Sequence, residues 1–148
     1  MKYSDIYRLY STSQPKDAIH QALREVPVDD SDEQYEDRSP LHLACQYGDT
    51  EGVKILLERD AEPNTKDANG STPIHILGRT SAGRADEDKL KEIAVMLMEH
   101  GANIPRSAKN TTALIECVRN RHFKMAEAII NSGARVNSTD LNGENVLF

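Results

Sequence analysis

Apolar residues along this chain fall into short clusters at helical spacing. Leu90, Ile93, Ala94 and Leu97 stand at i, i+3, i+4 and i+7, which puts one buried stripe on one side of a helix. Val53-Lys54-Ile55-Leu56-Leu57 and Ala126-Glu127-Ala128-Ile129-Ile130 predict two comparable apolar helices. Each cluster runs into a turn signal. Gly101 and Gly133 stand where a helix ends in a left-handed residue, and Asp60 holds the same place after the first cluster. Asp67-Ala68-Asn69-Gly70 and Asp140-Leu141-Asn142-Gly143 supply turn chemistry further on.

Upstream of these helices lies a second set of starts that repeat one another. Ser39-Pro40-Leu41-His42-Leu43-Ala44 returns as Thr72-Pro73-Ile74-His75-Ile76-Leu77, and more loosely as Thr112-Ala113-Leu114-Ile115-Glu116-Cys117. Asn145-Val146-Leu147-Phe148 begins the same motif again. Leu41, Ile74, Leu114 and Leu147 are separated by 33, 40 and 33 residues. Ser39 or Thr72 caps a helix whose first position is Pro, where the missing N–H costs nothing. These short helices are expected to stop at Gly48 and Gly78. A unit of helix, helix and turn cannot bury its own apolar face, so it must stack on its neighbours.

Ser/Thr-Pro-Leu/Ile-His, the 33-residue period and the Gly-Ala-x-x-Asn ending together resemble the ankyrin repeat. The resemblance implies an all-α solenoid of stacked helix–turn–helix units joined by hairpin turns, forming one domain over 1–148. Residues 3–37 read as a degenerate first unit, because Tyr7, Leu9, Ile19 and Leu23 fall 34 residues before Leu41, Leu43, Val53 and Leu57. Full units follow at 38–70, 71–110 and 111–143, with the start of an incomplete one at 144–148. The 40-residue spacing places an insertion at about 79–87, and Asp86, Glu87 and Asp88 are positioned to cap the helix after it. The stop at Phe148 leaves an apolar flank, with the expectation that the natural chain is longer or that this flank packs on a partner.

Composition narrows the function. Eighteen Lys+Arg against 24 Asp+Glu give a net charge of -6, which excludes a generic phosphate-backbone binder. The longest apolar run, Ile93 to Met98, is six residues, far short of the ~20 a membrane-spanning helix needs. The first residues carry no apolar signal segment, so a cytoplasmic location is expected. Two cysteines, Cys45 and Cys117, make no disulfide framework and are expected as inert buried thiols.

Candidate chemistry is sparse. No phosphate-cradling, nucleophile-elbow or zinc-protease motif occurs. His42 and His75 lack ligand spacing; the resemblance implies that they tie a helix start to the neighbouring turn. His20, His100 and His122 read as isolated. Glu25, Asp29, Asp30, Asp32, Glu33, Glu36 and Asp37 crowd together without the spacing or central Gly of a calcium loop, and read as a solvated acidic turn that can steer a basic partner.

The resemblance places partner contacts on hairpin tips and the outer side of the first helices, along one concave face. The matching positions are Tyr35, Glu36, Arg38, Gln46 and Tyr47; then Ala68, Asn69, Ser71, Arg79 and Thr80; then Lys109, Asn110, Arg119 and Asn120. The expected function is non-catalytic protein recognition, as an adaptor or targeting domain, with no cofactor, metal, nucleic acid or membrane partner. The chain is expected to be a monomer, with association open at its C-terminal flank. A self-assembling or structural spacer unit is the alternative. A cryptic metal or hydrolase site built from Glu116, His122 or the acidic run is a remote third.

Overall fold

The structure, a computed structural model, describes residues 2–79, 87–102 and 113–131. Their helices come in pairs: α1 (Tyr3–Ser11) with α2 (Lys16–Glu25), α3 (Pro40–Gln46) with α4 (Thr50–Glu58), α5 (Pro73–Arg79) with α6 (Glu87–Glu99), and α7 (Ala113–Arg119) with α8 (Phe123–Asn131). A single 3-10 turn, Glu33–Tyr35, precedes α3, and the described residues contain no strand. The first helices pack in series as α1, α3, α5 and α7, the second as α2, α4, α6 and α8, and each first helix also packs on its own second. The result is an all-helical solenoid two layers deep.

An inner first helix has neighbours on both sides and a partner beneath it. Pro40 to Cys45 of α3 and Pro73 to Gly78 of α5 are therefore buried without a break. Second helices bury only a stripe, and Leu90, Ile93, Ala94 and Leu97 are each fully buried as their spacing predicts. Asp60 and Gly101 take the left-handed conformation after α4 and α6, with φ of 64° and 95°. Gly78 does not stop α5. It lies inside the helix and is buried there. Arg79 and Glu87, expected as the edges of an insertion, belong to α5 and α6; residues 80–86 lie outside the described residues, as do 103–112 and 132–148 with the start expected at Leu147 and Phe148.

The first unit departs from its expected register. Tyr7 and Leu9 are only half-buried, whereas Tyr3, Ile6 and Tyr10 are the buried residues of α1. Those three share one helical face, and α1 has a neighbouring first helix on one side only, α3. Ile19 and Leu23 of α2 are buried as expected.

Polar groups lock one unit to the next. The His42 Nδ1 accepts hydrogen bonds from the Ser39 backbone N–H (3.1 Å) and from its hydroxyl (2.9 Å), while Nε2 donates to the Ser71 carbonyl one unit later (2.8 Å). His75 repeats the inner half with Thr72, its Nδ1 lying 2.9 Å from Oγ1. Arg59, just past α4, donates to the Leu23 carbonyl in the last turn of α2 and to the Val26 carbonyl just after it, both at 2.6 Å.

His20 is not isolated. Its Nε2 lies 3.0 Å from both carboxylate oxygens of Asp49, the buried residue that caps α4 by accepting from the Gly52 N–H (3.1 Å). Tyr10 donates to the same carboxylate at 2.7 Å, so one charge joins α1, α2 and α4. Burial alone would raise the Asp49 pKa, but hydrogen bonds from Tyr10, His20 and Gly52 outweigh it and hold the carboxyl below its ordinary value.

Two outcomes follow for stability. A Cβ on Gly52 would stand 2.6 Å from an Asp49 oxygen and 2.9 Å from Leu23, and Tyr10 and His20 prevent the carboxylate from swinging aside. Gly52→Ala should therefore destabilise by about 1–3 kcal/mol in urea unfolding, although Gly to Ala in an open helix normally stabilises. Burial also pushes the His42 pKa down to about 4, against a hydrogen bond to Ser71 that raises it. The unfolded chain takes its proton near pH 6.5 and the folded imidazole does not. Stability from this group is thus complete above pH 6.5 and declines as the pH falls to 4, by on the order of 3 kcal/mol. Urea midpoints at pH 7, 5.5 and 4.5 should show the decline, and His42→Asn, itself destabilised, should show a shallower one.

Candidate protein-binding face

Hairpins and first helices meet on one side of the solenoid. The turn before α5 closes through the Asp67 N–H to the Ser71 carbonyl (2.9 Å), with the Asp67 carboxylate accepting from the N–H groups of Asn69 and Ser71 (2.9 Å each). It pairs with the turn before α3, since the Ala68 N–H donates to the Glu36 carbonyl at 2.8 Å. Ala68 and Asn69 are left exposed at the tip.

An arginine braces each of two units. Arg38 Nη1 donates to the Gln46 side chain (2.8 Å), Nη2 pairs with Glu36 (2.9 Å), and Nε faces the buried Asp67 of the turn before α5 at 3.5 Å. One repeat later the parts are exchanged. Arg79, which stands where Gln46 stood, donates from Nη1 to Ser71, which stands where Arg38 stood (3.0 Å), and faces Glu116 of the next unit at 3.5 Å. Ser71 is consequently fully buried; it belongs to the frame of this face and not to the surface expected of it. Its place in the period gave no sign of the arginine above it.

Tyr35, Glu36, Arg38 and Gln46 come together with three residues that the sequence pattern missed, Tyr3, Tyr7 and Gln34, around a groove of about 310 Å³. The Tyr35 ring lies 4.5 Å from Tyr7 and 5.7 Å from Tyr3 between centroids, in tilted contact with each. Tyr3 and Tyr7 stand four apart on α1, which was a legible signal for one shared face. Tyr47 lies apart from the groove, stacked on Tyr10 at 4.9 Å. Arg119 and Asn120 are exposed at the end of α7, where Asn120 donates to the Gly78 carbonyl (3.1 Å). Thr80, Lys109 and Asn110 lie outside the described residues.

The tip of the first hairpin holds an uncommon backbone. Glu36 and Asp37 are both left-handed, with φ of 62° and 54°. Asp37 stands 33 residues before Gly70, whose φ of 75° glycine adopts freely. The second left-handed residue, Glu36, has no counterpart in the later turn, and it turns Tyr35 and Glu36 towards α1.

Other candidates resolve into structure. Cys45 and Cys117 are free and buried; burial raises both thiols, that of Cys117 to about 12 with help from Glu116. Glu87 and Asp88 stand in the first turn of α6, as expected, and the Glu87 carboxylate also accepts from the first N–H groups of the neighbouring unit's α8, at Phe123 (3.0 Å) and Lys124 (3.4 Å). His100 lies 2.8 Å from the Met96 carbonyl at the end of α6, and His122 is buried at the entry to α8. Within the acidic run, Asp30 accepts from the Tyr3 N–H (2.7 Å) and Asp32 caps the 3-10 turn. Among the described residues no three His, Cys, Asp or Glu side chains are grouped to hold a metal, and no helix is long and apolar enough to cross a membrane.

Known proteins share this pattern. The family model of ankyrin repeats in many copies matches residues 22–77, and that of the ankyrin repeat matches residues 109–141. A transient receptor potential cation channel subfamily A member 1 homolog of Caenorhabditis elegans is 38% identical over 69 residues, 47% of this chain and 6% of that protein. Ankyrin repeat protein nuc-2 of Neurospora crassa is 29% identical over 124 residues, 82% of this chain and 10% of that protein. Neurogenic locus notch homolog protein 1 of Mus musculus is 35% identical over 108 residues, 72% of this chain and 4% of that protein. The chain thus spans a tenth or less of each of these relatives.

The strained tip has a measurable signature. Asp37→Gly should leave stability unchanged or raise it by up to about 1 kcal/mol, while Gly70→Ala should cost about 1–2 kcal/mol. Paired thermal or urea unfolding of the two variants checks this.

Proposed function

Because the chain belongs to the ankyrin-repeat family, we propose that it is a non-catalytic adaptor or targeting module that holds a protein partner on its face of hairpin tips and first helices. Ankyrin repeats are generally protein-interaction modules and typically carry no catalysis. The observation that carries the reading is the groove at Tyr3, Tyr7 and Tyr35. It is open, built by two units, and lined with Tyr and Arg, the residue types that dominate interface energetics.

The mechanism is a pre-organised surface. The arginine braces, the paired hairpins and the buried imidazoles fix the face before a partner arrives, so little ordering entropy is lost on binding. The reading places the chain in the cytoplasm, as a part of a larger assembly or a longer chain.

Partner capture from lysate of the native host, read by mass spectrometry, tests the proposal. Ala68→Arg with Arg119→Glu changes exposed positions on the proposed face and should reduce capture at least about tenfold, a loss of ~1.4 kcal/mol or more. Lys54→Glu, exposed on α4, should leave capture unchanged. Capture indifferent to the face variant but lost with Lys54→Glu would overturn the choice of face. No capture, with a mass that rises with concentration, would favour the spacer reading.

A further inference from the structure

We propose that Asn69, at the tip of the turn before α5, is a site of spontaneous covalent modification, reached when the turn opens, and that its isoaspartate product releases the joint closed by His42. The inference is independent of what the face binds, because it rests on the turn's own bonds.

The reacting groups are neighbours in the chain. Asn69 is exposed, and the hydrogen bonds of the turn use its backbone N–H and not its side-chain amide. Gly70 follows it, so no side chain shields the next backbone nitrogen. In the reaction the Gly70 nitrogen gives its proton to solvent and bonds to the Asn69 Cγ, and the side-chain nitrogen leaves as ammonia. The cyclic imide so formed then takes up one water. Breaking the new N–Cγ bond gives aspartate with an ordinary backbone. Breaking the original peptide bond instead leaves the chain running through Cγ, which is isoaspartate, with one more carbon in the main chain.

The folded turn governs how often the first step occurs. The Gly70 N–H is held by the Asp67 carbonyl at 3.0 Å, and the Ala68 N–H by the Glu36 carbonyl at 2.8 Å. One oxygen of the Asp67 carboxylate accepts from the N–H groups of both Asn69 and Ser71, at 2.9 Å each. Attack must break the first of these bonds and rotate the backbone against the others, so it proceeds from the opened turn.

The two products differ in what they do to the core. Aspartate replaces an amide that the turn does not use. Isoaspartate lengthens the main chain between two N–H groups that share one oxygen, so both cannot remain on it. Ser71 is then displaced, and its carbonyl is the acceptor for the Asp67 N–H (2.9 Å) and for His42 Nε2 (2.8 Å). His42 is fully buried, where an N–H without an acceptor is costly. A change at an exposed tip is thus carried inward to the joint.

The test incubates the full chain, folded and in urea, in mildly alkaline buffer. Peptide mapping by mass spectrometry follows Asn69 apart from Asn142-Gly143, the same dipeptide later in the chain. Labelling by an isoaspartyl methyltransferase tells isoaspartate from aspartate. Conversion at Asn69 is expected in both samples, with isoaspartate among the products. The folded chain should react at least about tenfold more slowly, the factor that ~1.4 kcal/mol of turn closure supplies. Asn69→Asp should keep the parent's urea midpoint and its His42 Nε2 proton signal in NMR. The isoaspartate form, purified by chromatography, should unfold at lower urea and lose that signal. Asn69 left intact in the folded chain through prolonged incubation, while it converts in urea, would overturn the site. Equal rates in the two samples would overturn control by the turn. An isoaspartate form that keeps both the His42 signal and the parent midpoint would overturn the link to the joint.

Discussion

A pair of short helices has no inside of its own, and the rest of this structure follows from that constraint. Each apolar face is buried only by the unit before or after it. Polar groups caught in the joints must then find partners across the same boundary, because an unpaired buried donor costs a few kcal/mol. His42 shows the result most clearly. It accepts at one ring nitrogen from its own helix start and donates at the other to the next hairpin, so one side chain closes two units at once. Neutral imidazole offers one donor and one acceptor on opposite edges, and burial keeps it in that form.

At the first joint the task falls to a carboxylate. Asp49 caps its own helix, receives the Tyr10 hydroxyl and the His20 ring, and ties α1 and α2 to α4. The unit it holds is the one that diverges most from the others in sequence. Tyrosines on α1 and the hairpin ring of Tyr35 leave an open groove there. Among the described residues α1 packs on α2 and α3, and the groove opens beside that contact.

Much of the fold was legible because its determinants are local and recur. The Pro-capped starts at Ser39 and Thr72, the stripe from Leu90 to Leu97, and the left-handed Asp60 and Gly101 all follow from spacing and residue type. Less legible were features that depend on which way a side chain leans between units. The burial of Ser71, the cap that Glu87 gives to α8, and the meeting of His20 with Asp49 are contacts between residues 8, 36 and 29 positions apart, and residue type at a repeat position does not announce them. The register of α1 was misjudged for a related reason. A fixed offset of 34 assumes neighbours on both sides, whereas α1 buries the face that Tyr3, Ile6 and Tyr10 present to the single side it has. In the candidate face, Tyr35, Glu36, Arg38 and Gln46 were visible in the repeat, Gln34 was not, and Tyr3 and Tyr7 showed only in their spacing of four.

The exchanged arginine braces imply a rule of succession. Arg38 reaches forward to Asp67 in the turn before α5, and Arg79 reaches forward to Glu116 on α7, so each cation is answered by an acid at a later joint of the array. A repeat grafted after α5 would inherit that demand and need a carboxylate at the place of Glu116. One spliced after α3 would need it at the place of Asp67, in a hairpin instead of a helix. Units of equal length and similar outline are therefore not interchangeable, and the order of this array is written in which neighbour answers each arginine.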